Sequence, residues 1–190
     1  YSFDTTDELV SNISKFIKDN DTILIKAWYN QFEKLEVVCM EYIAMEIKKA
    51  EIKDLNIVVK LKMEMFEEVG SIALLQDNAE EHIYERYKEL YQEEKGCHYL
   101  VYENDSVIAC GGAVIKEDVP FCFFKTPMYG YIIDVYCIPE KRRNGYSSKI
   151  MEELLKWLQN KGIHTIKLKP SAAGKHLYEK FGFCDSGEME

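Results

Sequence analysis

The run Arg142-Arg143-Asn144-Gly145-Tyr146-Ser147-Ser148 holds the residue types of an anion site. Its flanks place it between a strand and a helix. Before it, Tyr131, Ile132, Ile133, Val135, Tyr136 and Ile138 have the β-branched and aromatic content of a buried strand. Pro139 cannot continue a ladder and ends that strand. After it, Ile150, Met151, Leu154, Leu155 and Leu158 recur at helical spacing. A helix is expected to begin near Asn144 or Gly145. Its first N–H groups have no intrahelical partner and sit at the positive end of the macrodipole. Gly145 lacks a Cβ, so an anion can approach the backbone there. Arg142 and Arg143 add forked donors, and Ser147 and Ser148 add hydroxyls. A pyrophosphate fits such a turn.

The elements around this turn follow from pattern. In the first 54 residues, Leu9, Ile13, Phe16 and Ile17 suggest a helix over 7–17, and 21–29 reads as a strand. Phe32 to Lys53 leans to a helix, although Val37, Val38 and Ile43 leave a strand open. Leu55 to Leu61 reads as a strand and Met63 to Leu75 as a helix. Ala79 to Glu94 reads as a second helix, capped by Asn78 or Asp77 and stopped by Gly96. Cys97 to Ile115 reads as a β-hairpin turning at 103–106, with Gly111 and Gly112 marking a bulge or a close approach. Phe121, Phe123 and Phe124 either line an apolar mouth or pack the core. Beyond the organising strand and helix, 163–168 reads as a strand, 172–180 as a helix, and Phe181-Gly182-Phe183 as the start of a last strand. The hairpin requires antiparallel pairing and the strand–helix–strand unit a parallel crossover, so the expected fold class is α/β with a mixed α+β sheet.

Composition narrows the function. The 190 residues suit one domain plus an extension, and 47% hydrophobic content suffices for a core. A net charge of −9 disfavours nucleic acid as a partner and suits a cationic acceptor. The six cysteines form no C-x-x-C pair, which points to a reducing, cytoplasmic setting without disulfides or a zinc site. No apolar run is long enough for a membrane span, and no signal peptide is visible. The chain begins at Tyr1 rather than Met, which leaves a longer natural chain open.

The segment Ile138 to Ser147 resembles the acyl-CoA signature of the GNAT family (Gcn5-related N-acetyltransferases), Arg/Gln-x-x-Gly-x-Gly/Ala, with Ser147 in the last place. Ser171-Ala172-Ala173-Gly174-Lys175-His176-Leu177-Tyr178-Glu179-Lys180-Phe181-Gly182-Phe183 resembles a second signature of that family, Asn-x-x-Ala-x-x-Leu/Phe-Tyr-x-x-x-Gly-Phe. Ser171 stands where the family usually has Asn, and Gly174 where it often has Ala. The resemblance covers about 55–185. It implies the GNAT acyl-CoA acyltransferase fold over 55–190, with 1–54 as an N-terminal extension.

The resemblance further implies acetyl-CoA as cosubstrate, an amine acceptor and no metal. A homodimer is common among such proteins. Cofactor contacts are implied at Tyr136, Cys137, Ile138, Arg142, Arg143, Asn144, Gly145, Tyr146, Ser147, Ser148, Ser171, Lys175 and Tyr178. The strand ending at Ile138 would splay from its neighbour and pair with pantetheine. Tyr178 would donate a proton or a hydrogen bond to the leaving thiolate. A phenol of pKa ~10 lies only about 1.5 units above a thiol of ~8.5. The attacking amine must lose a proton. Asp134, Glu68 and Glu67 are the candidate carboxylates, with His98 and His176 as further bases. A fold that binds acyl-CoA without turnover, as a regulatory module, stays open beside the transferase reading.

Overall fold

The structure is a computed structural model that describes residues 2–3, 22–26, 35–40, 45–119 and 127–187. The chain forms two compact units, Tyr1–Ala44 and Met45–Glu190. The first contains a three-stranded antiparallel sheet of β1 (Ser2–Phe3), β2 (Thr22–Lys26) and β3 (Leu35–Met40), in the order β1-β3-β2. The helix expected over 7–17 and the phenylalanines 121, 123 and 124 lie outside the described residues.

The second unit is built on a five-stranded sheet, β4 (Met45–Lys49), β5 (Gly96–Glu103), β6 (Ser106–Glu117), β7 (Met128–Cys137) and β8 (Ile166–Lys167), paired in that order. The first three pairings are antiparallel, while β7 and β8 run parallel. The sheet is therefore mixed, as the hairpin and the crossover require. Between β5 and β6, Asn104 and Asp105 both take positive φ, 48° and 62°, the geometry of a two-residue hairpin turn. Two helices, α1 (Leu55–Glu68) and α2 (Ala79–Gln92), pack on one face of the sheet through Leu55, Val58, Leu61, Tyr87 and Leu90. A third, α3 (Tyr146–Asn160), buries Ile150, Met151, Leu154 and Leu158 completely on the other face. The short α4 (Lys175–Lys180) adds Leu177 and Tyr178 to that same cluster.

The structure corrects four readings of the sequence. Leu55–Leu61 is the beginning of helix α1 and not a strand. Its Ile-Val-Val run has strand propensity, but Leu55, Val58, Leu61 and Met65 fall on one helical stripe, and the packing of that stripe decides. The strand expected there is supplied by β4, inside a stretch that leaned to a helix. Met45-Glu46-Ile47-Lys48 alternates apolar and polar residues, and Met45 and Ile47 reach the core. Of the helix expected over 172–180, only Lys175–Lys180 is helical, after a turn at 172–174. Beyond Phe183 no strand forms among the described residues, which run on to 187 without regular pairing. The second unit begins with β4, which pairs with β5.

Candidate functional site

The parallel pairing of β7 with β8 is brief. It joins Gly130 to Ile166 and Tyr131 to Lys167, and the Gly130 N–H reaches the Thr165 carbonyl at 2.9 Å. Beyond Tyr131, β7 continues to Cys137 with no ladder on that side among the described residues. The C-terminal half of β7 therefore flanks a wedge that no strand closes among the described residues. The Ile138 N–H is committed to the Ile108 carbonyl, 3.0 Å away on β6. By the strand's period of two, the Tyr136 main chain also faces β6, whereas the Cys137 N–H turns to the other side.

The wedge leads to the start of α3. Gly145 is the N-cap residue in the left-handed region (φ 80°), which costs glycine nothing. A Cβ built on it would meet nothing within 4 Å, so the space beside the turn is open. The first intrahelical bond runs from Lys149 N–H to the Gly145 carbonyl. The N–H groups of Tyr146, Ser147 and Ser148 thus have no intrahelical acceptor and point out of the helix end. This is the geometry of a phosphate cradle, and the residues present suit a pyrophosphate.

The side chains of the turn divide by task. The Arg142 guanidinium donates to the Glu68 carboxylate at the end of α1, and its Nε donates to the Cys137 carbonyl at 2.9 Å. It also lies over the Tyr136 ring, 5.7 Å from the centroid. Arg142 first, then a hydrogen bond from Tyr136, hold the Glu68 carboxyl below its ordinary range. The Asn144 amide donates to the Lys141 and Arg142 carbonyls and so braces the turn from inside. The Tyr146 hydroxyl donates to Glu103, which is also paired with Lys141. Arg143, at φ 68°, is exposed, and Ser147 and Ser148 are half-buried.

The second motif lies against the α3 face. The Ser171 hydroxyl accepts the Gly174 N–H at 3.1 Å and so caps the turn that leads into α4. A methyl on Gly174 would lie tightly against the Tyr178 ring at 3.3 Å and Ser171 Oγ at 3.2 Å. Tyr178 packs edge-on against Phe183, with centroids 6.1 Å apart, and burial raises its phenol above the ordinary value. Lys175 is exposed, 4.0 Å from Glu179. Tyr178, Tyr146, Val135 and Ile138 all border the same apolar cluster. Exposed His176 pairs with Glu179 at 3.9 Å.

Asp134, Glu68 and Glu67 sit on the opposite side of the sheet or at its rim. Glu67 lines a groove between α1 and α2 with Glu64, Glu80 and Glu81. Asp134 is almost wholly buried, its side chain 2% exposed. Lys62 of α1 donates to Oδ1, and the Tyr87 hydroxyl of α2 donates to Oδ2. His98 Nε2 of β5 lies 3.1 Å from Oδ2, and the Tyr91 hydroxyl lies 2.9 Å from His98 Nδ1. Burial alone would raise the Asp134 carboxyl. The His98 hydrogen bond and the Lys62 charge outweigh it and hold the carboxyl well below the usual carboxylate range. Burial, then the Asp134 charge, pushes the Tyr87 phenol far above its ordinary value. A carboxylate this well satisfied is a weak base near neutral pH.

Sequence reading missed Lys62, Tyr87 and Tyr91. The signal for Lys62 was present once the segment is read as a helix, because Leu55, Val58, Lys62 and Met65 share one stripe and a lysine interrupts it. The glycine pair carried a signal as well. A methyl on Gly112 would overlap the His98 ring, and one on Gly111 would collide with Ile150 of α3. Each glycine thus admits a side chain from one face of the sheet. No group of His, Cys, Asp and Glu among the described residues is arranged to hold a metal ion, and no helix among them is long and apolar enough to cross a membrane.

Comparison with known proteins agrees with this fold. The family model for the acetyltransferase (GNAT) family matches residues 59–183. A predicted acetyltransferase from Clostridium acetobutylicum, solved with acetyl-CoA, superimposes with a TM-score of 0.70 at 24% identity, over 77% of this chain and 94% of that one. A GCN5-related N-acetyltransferase from Ralstonia eutropha gives 0.70 at 23% identity, over 77% and 97%. Glucosamine-6-phosphate N-acetyltransferase from Arabidopsis thaliana gives 0.60 at 20%, over 77% and 96%. At these identities the likeness establishes the fold. No curated protein matches the chain.

Proposed function

Because this chain belongs to the GNAT acetyltransferase family, we propose that it transfers an acyl group, in the simplest case acetyl from acetyl-CoA, to a primary amine. The observation that carries this reading is the wedge beside β7, which ends at the open N-terminus of α3. In this reading the pyrophosphate lies on the N–H groups of Tyr146, Ser147 and Ser148, with Arg143 beside it. Pantetheine runs along β7 and pairs with Cys137. The thioester then lies near Val135, between Tyr178 on one side and the α1 rim on the other. The solved neighbours bear on the chemistry only by analogy, since one was solved with acetyl-CoA and another is named for glucosamine 6-phosphate.

The reaction is direct attack in a ternary complex. The amine nitrogen forms a bond to the thioester carbon, a proton leaves the nitrogen, and the carbon–sulfur bond breaks. A strand N–H polarises the carbonyl, and most of the acceleration comes from holding amine and thioester in register. Tyr178 keeps its proton, given its raised pKa, and steadies the departing sulfur by a hydrogen bond. In this reading Glu68, which also holds Arg142, receives the incoming ammonium at the rim, and the proton passes to solvent through water. The acidic groove between α1 and α2 favours a cationic acceptor. The assay is release of free CoA thiol from acetyl-CoA across a panel of primary amines. Turnover with at least one amine is expected. Binding without turnover of any amine would favour the regulatory module instead.

A further inference from the structure

The Asp134 carboxylate has no part in the steps above, yet four elements converge on this residue. Lys62 comes from α1, Tyr87 from α2 and His98 from β5, while the Cys110 thiol of β6 donates to the Asp134 carbonyl at 3.3 Å. The residue sits in a bulge. Cys110 pairs with Tyr136 and Gly112 with Ile133, so Asp134 and Val135 together oppose Gly111 alone. The alternation of β7 breaks there. Ile133 packs on the α1/α2 face, Asp134 bonds on that same face, and Val135 turns to the α3 face.

We propose that Asp134 is a positioning residue whose carboxylate, clamped by Lys62, Tyr87 and His98, holds the β7 bulge and so keeps the Val135 amide aimed into the wedge where the thioester carbonyl lies. The proposal rests on the N-acyltransferase reading. Asp134 has φ 56°, a conformation that L residues avoid. Without the clamp the backbone gains by returning to extended geometry, and each one-residue change of register sends side chains and amides to the opposite side. The clamp opposes that return. Tyr91 fixes the His98 ring through Nδ1, and Gly112 leaves the space in which that ring crosses β6 to reach β7. Lys62 and Tyr87 belong to the helices that border the acidic groove, so the bulge is tied mechanically to the acceptor side.

The test uses the full chain with Asp134→Asn, which keeps shape and removes charge, and the milder Tyr87→Phe. Steady-state kinetics, acetyl-CoA calorimetry and the ¹H–¹⁵N shift of the Val135 amide are measured for each. For Asp134→Asn, kcat is expected to fall about ten- to hundredfold, the loss that small misplacement of reacting groups brings. Acetyl-CoA affinity stays near wild type, the acidic limb of the pH profile stays in place, and the Val135 amide no longer responds to acetyl-CoA as in the wild type. Tyr87→Phe shows the same pattern more weakly, and adding it to Asp134→Asn costs nothing further. If Asp134→Asn instead abolishes the acidic limb, or Lys62→Met moves it upward, Asp134 is the base and the proposal fails. Unchanged kcat in folded Asp134→Asn also overturns it, leaving a structural cluster. A wild type that neither binds acetyl-CoA nor turns over removes the transferase reading itself, a result distinct from the others.

Discussion

The two faces of the five-stranded sheet are packed by different chemistry. The α3 face is apolar at its centre, with Ile150, Met151, Leu154 and Leu158 packed in one cluster with Cys97, Val101, Ala109 and Ala113, and its buried Glu103 lies at the rim with Tyr146 and Lys141. The α1/α2 face begins the same way with Leu55, Val58 and Leu100, but at its centre it buries Asp134 and His98 and takes in Lys62. Apolar packing is tolerant of direction, whereas a buried carboxylate with three donors is not. One face therefore supplies apolar packing beneath the start of α3, and in the proposed account the other sets an orientation on β7.

Deleting one group from each face gives the largest effects. Asp134→Ala leaves Lys62 and His98 facing an unpaired cavity and is expected to cost about 3–5 kcal/mol in urea unfolding. Leu154→Ala is expected to cost about 2–5 kcal/mol, for the lost transfer and the cavity. The contrast lies in the surviving folded enzyme, where Leu154→Ala keeps most of its kcat and Asp134→Ala does not.

A smaller pair of changes sharpens the same contrast by adding one methyl to each face. On the α1/α2 face, Gly112→Ala drives against the His98 ring; on the α3 face, Gly130→Ala meets Leu158 Cδ1 at 2.7 Å. Each overpacking is expected to cost about 1–3 kcal/mol in thermal unfolding. Only Gly112→Ala should also lower kcat, because it displaces a partner of Asp134.

The mildest probe is acid. The Asp134 carboxyl titrates lower in the folded chain than in the unfolded chain. Its contribution to stability is thus complete above the unfolded value of about 3.9 and is lost as pH falls from there toward the folded value. The urea midpoint of the wild type should drop more steeply below about pH 4 than that of Asp134→Asn, with the two curves parallel above it.

The strand–turn–helix unit from β7 to α3 was legible in the sequence because its pattern is local. Pro139, Arg142, Gly145 and the apolar stripe from Ile150 sit within one strand–turn–helix unit, and short-range spacing encodes all of them. The bulge cluster was not legible, because Lys62, Tyr87, His98 and Asp134 come from four elements that meet only in the folded sheet. Asp134 drew notice as an acid on the organising strand, yet its burial and its partners depend on those long-range contacts. The error at Leu55–Leu61 hid Lys62 further, since a lysine just past a strand looks like surface and a lysine on a helix core stripe does not. Gly111 and Gly112 signalled close approach, as expected of paired strand glycines, but not which side chains approach.

The account stands most directly on where acetyl-CoA binds. Isothermal titration of acetyl-CoA into the wild type, Gly145→Ala and Gly145→Glu measures it, the alanine variant reporting the strain of a side chain at φ 80° without added charge. The account predicts binding by the wild type, a modest loss in Gly145→Ala and a loss of at least about tenfold more in Gly145→Glu, where a carboxylate meets the pyrophosphate on the helix end. Equal affinity for all three chains would contradict it and place the cofactor away from the start of α3.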